Sequence, residues 1–124
     1  MQSNYSDTKE FLDKLRIEVK KVPSLPEYSD KIKRYEHMLE ECEEFLEAND
    51  LQGVVDSLID IVYIALGTAN MCGVDEETWN KCWARVHKAN MAKEVNHNLS
   101  NKKLGVYKPK GWVAPDFADV LGAD

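Results

Sequence analysis

The chain is short of the features that mark several common protein classes. Its three cysteines, Cys42, Cys72 and Cys82, are odd in number and show no CxxC spacing. That argues against a disulfide framework or a zinc ribbon and for buried, reduced thiols in a cytoplasmic protein. The opening MQSNYSDTKEF holds no apolar run of the kind a secretory signal needs. No glycine-rich P-loop occurs, which disfavours an ATPase motor. No repeat or low-complexity tract is found. A formal net charge of −6 argues against nonspecific nucleic-acid binding. The most local absence is the most telling: between Glu36 and Asp60 there is no Lys or Arg, and no basic residue elsewhere on the second or third predicted helix offers a simple salt bridge to the acids found there.

Those acids organise the chain. In LEECEEFLEANDLQGVVDSLIDIVYIALG (39–67), Glu40, Glu41 and Glu44 fall on one face of a predicted helix, and Asp56 and Asp60 share a face of the next, which is otherwise almost wholly apolar. Two carboxylates ~5 Å apart repel by roughly 3 kcal/mol at an effective dielectric of ~20, so an inward-facing cluster needs a cation. Oxygen ligands without paired His or Cys select Mg²⁺ or Mn²⁺ before Zn²⁺. Acids inside an apolar helix are rarely buried unless paired or metal-bound. Glu36, Glu43 and Glu47 read as a solvated face.

At 124 residues, with 44% hydrophobic and 31% charged residues, the chain (1–124) reads as one globular domain. A capping box at Asp7 and Glu10 predicts a first helix over Asp7–Val22, ended by the rigid Pro23–Pro26 linker. A second helix starts near Ser29, and its stripe Ile32, Tyr35, Leu39, Cys42 and Leu46, of the kind that faces a core, lies opposite the acids. Asn49, Asp50 and Gly53 break the pattern. A third helix over Leu51–Cys72, stopped by Gly73, is apolar nearly all round and so should be enclosed by other helices. As a membrane span it would carry Asp56 and Asp60 at a cost of ~2.5 to 3.5 kcal/mol each, so a core helix without membrane contact is expected. The fourth helix starts at Asp75, with Val74 and Trp79 as a staple, and Trp79, Cys82, Trp83 and Val86 should pack inward. After Val95 a loop follows, with one short extended pair around 105–112 and a last short helix from Pro115 to Leu121. The fold class is all-α: a bundle of about four main helices plus a C-terminal loop and short helix, completed by dimerisation because so few helices cannot enclose the third.

The C-terminal part is basic. Lys81, Arg85, Lys88, Lys93, Lys102, Lys103, Lys108 and Lys110 are opposed between residues 81 and 111 only by Glu94. An acidic centre beside a basic end suits a ligand that carries phosphates and a metal together. His87, Asn90 and Lys93 follow one another at spacings of three along one flank of the fourth helix.

LEECEE is similar to the EExxE motif of the MazG-like all-α nucleoside triphosphate pyrophosphohydrolases, with Glu40, Glu41 and Glu44 in the motif positions. DSLIDIVY resembles their ExxD motif with Asp60 as the final acid; Ser57 stands where the Glu would be, and Asp56 looks like its substitute. VHKANMAK and GVYKPKGW resemble small phage and bacterial members. The resemblance spans about Tyr35 to Asp116. It implies Mg-dependent hydrolysis of a nucleoside or deoxynucleoside triphosphate to the monophosphate and pyrophosphate, by a homodimer or homotetramer. It assigns Glu41, Glu44 and Asp60 to the metal, Asp56 as an outer ligand, and Glu40 as a further ligand or the base that orients water, with base and ligand roles exchangeable among Glu40, Glu41 and Glu44. Asn90, Lys93, Lys108 and Arg85 would hold phosphate. Roles in dNTP pools or in clearing damaged nucleotides stay open. Base contacts are expected from the first helix, its linker and a partner subunit, with Tyr5, Phe11, Tyr28 and Tyr35 as aromatic candidates that core packing explains equally well. Two rival readings are a non-catalytic helical metal- or nucleotide-binding module, and a carboxylate-bridged di-iron bundle built on Glu94 and His97.

Overall fold

The computed structural model describes residues 2–96 and 105–122. It is mostly helical: α1 Asn4–Lys14, α2 Tyr28–Glu47, α3 Leu51–Met71, α4 Glu76–Met91 and a short α5 Ala118–Leu121. Strands β1 Glu94–Val95 and β2 Val106–Tyr107 pair antiparallel, Glu94 opposite Tyr107 and Val95 opposite Val106. The short extended pair thus draws one strand from the expected region and the other from further upstream. The chain divides into two compact units, Met1–Glu76 and Glu77–Asp124.

In the first unit α1 begins before Asp7, because Ser3 is the N-cap. Its hydroxyl accepts from the Ser6 backbone N–H at 3.0 Å, and the Ser6 hydroxyl accepts from Ser3 N–H at 2.8 Å, a reciprocal cap. The helix ends at Lys14, well short of the expected Val22. Arg16 takes a φ of 58°, Ile17 N–H donates to the Leu12 carbonyl at 3.0 Å, and Arg16 N–H donates to the Asp13 carbonyl at 3.1 Å. Those two bonds around a left-handed residue are a Schellman stop. Glycine usually fills the position, so Arg16 gives no warning, and the apolar period through Val19 and Val22 runs on past a helix that has ended.

The non-helical segment that follows crosses the end of α3. Lys20 N–H donates to the Met71 carbonyl at 3.2 Å and Ser24 N–H to the Cys72 carbonyl at 2.8 Å, satisfying acceptors that a helix C-terminus leaves orphaned. The approach is close enough that a Cβ on Gly73, at φ +80°, would lie 2.3 Å from the Val22 carbonyl oxygen. Only glycine fits there. At the other end of α3, Asp50 accepts from Gly53 N–H at 2.8 Å as N-cap. The short Ala48–Asp50 connection makes α2 and α3 a helical hairpin, and α1 also packs on α3.

The enclosed positions of this unit are few: Tyr5, Thr8, Leu12, Glu41, Ser57, Ile64, Gly67 and Asn70. Asn70 ties α1 to α3 by donating to the Thr8 hydroxyl at 2.8 Å. The apolar stripe of α2 is not among them. Ile32, Tyr35, Leu39, Cys42 and Leu46 are exposed, Leu46 at 82%, and the one buried residue of α2 is Glu41. Within this chain α2 therefore turns Glu41 inward and its apolar stripe to solvent, which also leaves the Cys42 thiol exposed where a buried one was expected; Cys72 and Cys82 are partly buried.

Nor is α3 enclosed by its own chain. Val55, Leu58, Ile59 and Val62 are exposed and line, with α1, an open groove of about 460 Å³. Among the described residues α3 is the one helix long and apolar enough to cross a membrane by length and composition, with Asp56 and Asp60 within it.

In the second unit α4 starts directly after Asp75, as expected. Its covered face differs from the expected one. Trp112 donates from its indole N–H to the Ala89 carbonyl at 2.7 Å, and α5 is held to Arg85, so Ala89 is buried while Trp83, 65% exposed, and Val86 face outward. Trp79 and Cys82 are half-buried. Helix α5 begins after Phe117 and not at Pro115, because Asp116 accepts from the Ala118 N–H at 2.8 Å, a local turn that delays the helix.

Candidate active site

The centre of the acidic site is Glu41. Its Oε2 is buried and no hydrogen-bond donor among the described residues reaches it; an unsatisfied buried acceptor costs ~1–3 kcal/mol. Its Oε1 lies 3.8 Å from His37 Nε2, one turn earlier on α2. Burial pushes the Glu41 carboxyl up to about 7, helped by a carboxyl–carboxyl contact with Glu44 and by the charges of Glu44, Asp60 and Glu40. Acids of two neighbouring helices therefore act on one another here. Asp60 is half-buried, while Glu40 and Glu44 are exposed. Glu41 and Asp60 share the wall of a cavity of about 310 Å³ with Phe11, His37, Tyr63 and Ile64.

Asp56 is exposed, and Ser57 beside it is buried. The inward residue at the place of the missing ExxD glutamate is thus a hydroxyl, and Asp56 is not among the acids whose charge acts on Glu41. Two residues of this region went unmarked in the sequence. His37 sits one turn before Glu41 on the acidic face, a spacing the sequence does display. Arg34 lies on α2 and reaches α3, donating from Nε to the Thr68 hydroxyl at 2.9 Å and from Nη2 to the Ile64 carbonyl at 3.0 Å. A basic residue on the second helix does face the third, then, but it bonds neutral oxygens, and the acids keep their excess charge.

The set fits a hard divalent cation: all-oxygen donors, uncompensated negative charge, and a buried carboxylate oxygen without a partner. Among the described residues no three His, Cys, Asp or Glu side chains are drawn together tightly enough to hold a metal as they stand. Closing a shell around Glu41 requires the exposed Glu40 or Glu44 to swing in, a rotamer change that long side chains make readily.

In the second unit the expected phosphate contacts separate into two kinds. Arg85 is committed to α5: its guanidinium pairs with Asp119, Nη2 to Oδ2 at 2.7 Å, and also donates to the Asp116 carbonyl at 2.7 Å. This pairing holds the Asp119 carboxyl below the usual range. Among the described residues no acid forms an ion pair with Lys93 or Lys108. Their ammonium groups sit 5.6 and 4.9 Å from the centre of the Trp112 ring, a cation–π arrangement that gathers two like charges on one indole. Asn90 is exposed. Glu94 accepts from the Tyr107 hydroxyl at 2.7 Å and lies in a strand; its proposed di-iron partner His97 lies outside the described residues.

A family model described as phosphoribosyl-ATP pyrophosphohydrolase matches residues 8–90, well over half of the chain. The chain belongs to this family. The phosphoribosyl-ATP pyrophosphohydrolase family falls within the MazG-like all-α superfamily, which agrees with the resemblance of the acidic motifs. Its activity class is pyrophosphohydrolysis of a nucleotide triphosphate, a hydrolase reaction on an acid anhydride. The match takes in the acids of α2 and α3 and ends at Asn90; the resemblance noted around Lys93 and Lys108 lies beyond it. None of the curated proteins matches the chain.

Proposed function

We propose that the protein is a Mg²⁺- or Mn²⁺-dependent pyrophosphohydrolase of the small phage and bacterial type, cutting a nucleoside or deoxynucleoside triphosphate to the monophosphate and pyrophosphate. The observation that carries the reading is the buried, donor-less Oε2 of Glu41 among Glu44, Asp60 and Glu40. Glu41, Glu44 and Asp60 would hold the cation, with Asp56 in an outer position. When bound, such an ion neutralises the triphosphate and supplies Lewis acidity at phosphorus and at water.

The rest is work for the chain's own groups. Glu40, exposed at the edge of the cluster, orients the attacking water and takes its proton; Glu41 is the alternative holder of that proton. Water attacks the α-phosphorus, the bond to the bridging oxygen breaks, and pyrophosphate leaves with that oxygen. The resemblance of the motifs assigns the departing charge to Lys93 and Lys108 and a hydrogen bond to Asn90. Arg85 keeps its place against α5. Phosphoribosyl-ATP, which gives the family its description, is one triphosphate to test beside the common nucleotides.

The active form is a homodimer or homotetramer in the cytoplasm. The support is the number of large apolar side chains left exposed on the α2 stripe and on the α3 face, of the kind that mark interaction surfaces. The testing experiment is a panel of triphosphates with Mg²⁺, read by pyrophosphate release, for the wild type and for Glu44→Gln and Asp60→Asn. Both variants should lose turnover at least 100-fold while keeping full helicity. Metal binding without cleavage of any nucleotide would replace the enzyme by the non-catalytic binding module.

A further inference from the structure

The acid-lined cavity does not end at His37. A second, smaller space of about 60 Å³ borders Arg34 and Gly67 and shares Phe11, His37, Tyr63 and Ile64 with the first. Phe11 and Tyr63 stand edge to face, centroids 5.8 Å apart, at the place the two spaces have in common. One cleft in the first unit therefore runs from carboxylates, past two aromatic rings and an imidazole, to a guanidinium. Arg34 is seven residues before Glu41 on the same helix, about 10 Å along its axis.

Arg34 is held in place by three features of α3. The Thr68 hydroxyl accepts from Nε, the Ile64 carbonyl accepts from Nη2, and Gly67 leaves the room: a Cβ there would lie 2.9 Å from Arg34 Nη2. Among the described residues no carboxylate pairs with this half-buried guanidinium. A guanidinium carries five N–H donors and accepts nothing, so those not bound to Thr68 and Ile64 have unused capacity. Leaving a partly buried cation with only neutral partners and spare donors is unfavourable unless a ligand supplies further acceptors.

We propose that this cleft holds the nucleobase of the substrate and that Arg34 is its specificity-determining residue, selecting bases with a carbonyl at the edge farthest from the sugar: uracil and thymine through O4, guanine through O6. The inference rests on the catalytic reading above, which puts the phosphates at Glu41 and Asp60. With the phosphates there, the ring passes Phe11 and Tyr63, and the edge remote from the glycosidic bond points toward Arg34. Cytosine and adenine present an amino group at that edge, donor against donor. The narrowness of the space at Arg34 suits a flat ring edge; a sugar phosphate would not enter.

The test pairs turnover with binding. Pyrophosphate release is measured for dUTP, dTTP, dGTP, dCTP and dATP, and binding of dUMP and dCMP by calorimetry, on the wild type, Arg34→Met, Arg34→Lys and Gly67→Ala, with thermal melting of each. The wild type should favour keto bases, and Arg34→Met should erase about 10- to 100-fold of that preference, the usual worth of a charged hydrogen bond. The loss should appear in KM and in dUMP affinity, with partial rescue in Arg34→Lys. Gly67→Ala, which suits a helix but displaces the guanidinium, should reproduce the loss even if Arg34→Met folds poorly. Nucleotides cut without any keto preference, or a preference untouched in both Arg34→Met and Gly67→Ala, would overturn this inference and leave the proposed function standing. Tight use of phosphoribosyl-ATP that depends on Arg34, with no base preference, would overturn it in favour of a distal phosphate. If no nucleotide is cut or bound, both readings fail together.

Discussion

Replacing Glu41 by Gln should make the protein more stable and inactive at once. An ordinary glutamate titrates near 4.5, and Glu41 is pushed up to about 7 by burial and by its acidic neighbours. Below about pH 4.5 the group is protonated whether the chain is folded or not, so it contributes nothing to the pH dependence. Between 4.5 and about 7 the unfolded chain has released a proton that the folded chain keeps; fewer protons bound when unfolded means that stability falls as pH rises. Above about 7 the full cost stands. At ~1.4 kcal/mol per unit the shift is worth ~3 kcal/mol, and screening around the exposed Glu40 and Glu44 trims it to ~2. Gln carries no charge and brings an N–H₂ donor for Glu44 or Asp60.

The assay is urea denaturation at one fixed protomer concentration with a chelator present, at pH 4 and pH 8. Glu41→Gln should exceed the wild type by ~2 kcal/mol at pH 8 and match it within ~0.5 at pH 4. Adding Mg²⁺ should stabilise the wild type and leave the variant nearly unchanged, while pyrophosphate release by the variant falls at least 100-fold. A variant less stable than the wild type at pH 8 with chelator would refute the reasoning, since Glu41 would then be compensated by the protein itself.

Other perturbations probe the scaffold. Gly73→Ala should cost ~2–4 kcal/mol in chemical denaturation, because a left-handed backbone and the Val22 carbonyl both oppose a Cβ. Arg16→Gly should raise stability by ~0.5–1 kcal/mol by relieving a left-handed non-glycine residue, its gain reduced by the greater freedom of glycine in the unfolded chain. Ile59→Glu, on the exposed face of α3, should halve or quarter the mass seen by light scattering if that face is where copies meet.

The acids were legible because their pattern is local: Glu40, Glu41 and Glu44 share a helical face by spacing alone, and an apolar helix advertises Asp60. The end of α1 was not legible, since the residue that stops it is Arg16 and no glycine marks the spot. His37 lies between Glu36 and Asp60 but is neither Lys nor Arg, and Arg34 falls two residues before that stretch, so its lack of Lys and Arg hid both, although both sit on the face that looks at α3. Spacing on α4 pointed to Trp83 and Val86, but which face is covered depends on where Trp112 and Asp119 land, and those partners are far along the chain. The same holds for Ser57 and Asp56: both fall within reach of the helix face, and only the packing of α2 on α3 makes the hydroxyl the buried one.

The orientation of α2 links the site to assembly. A helix with Ile32, Tyr35, Leu39 and Leu46 in water and Glu41 enclosed is turned against the usual hydrophobic preference, at ~25 cal/mol per Å² for the apolar side and an unsatisfied carboxylate on the other. In a lone chain both terms favour rolling the acids outward. On the proposed homodimer the stripe is covered by a second copy, and that burial holds the helix in the orientation that keeps Glu41 beside Asp60. The acid cluster is then a property of the assembly, and dilution below the dissociation constant should weaken Mg²⁺ binding together with the association itself. On the proposed homodimer the apolar stripe would fix which way Glu41 faces, so α2 would require both halves of its pattern for the site to exist.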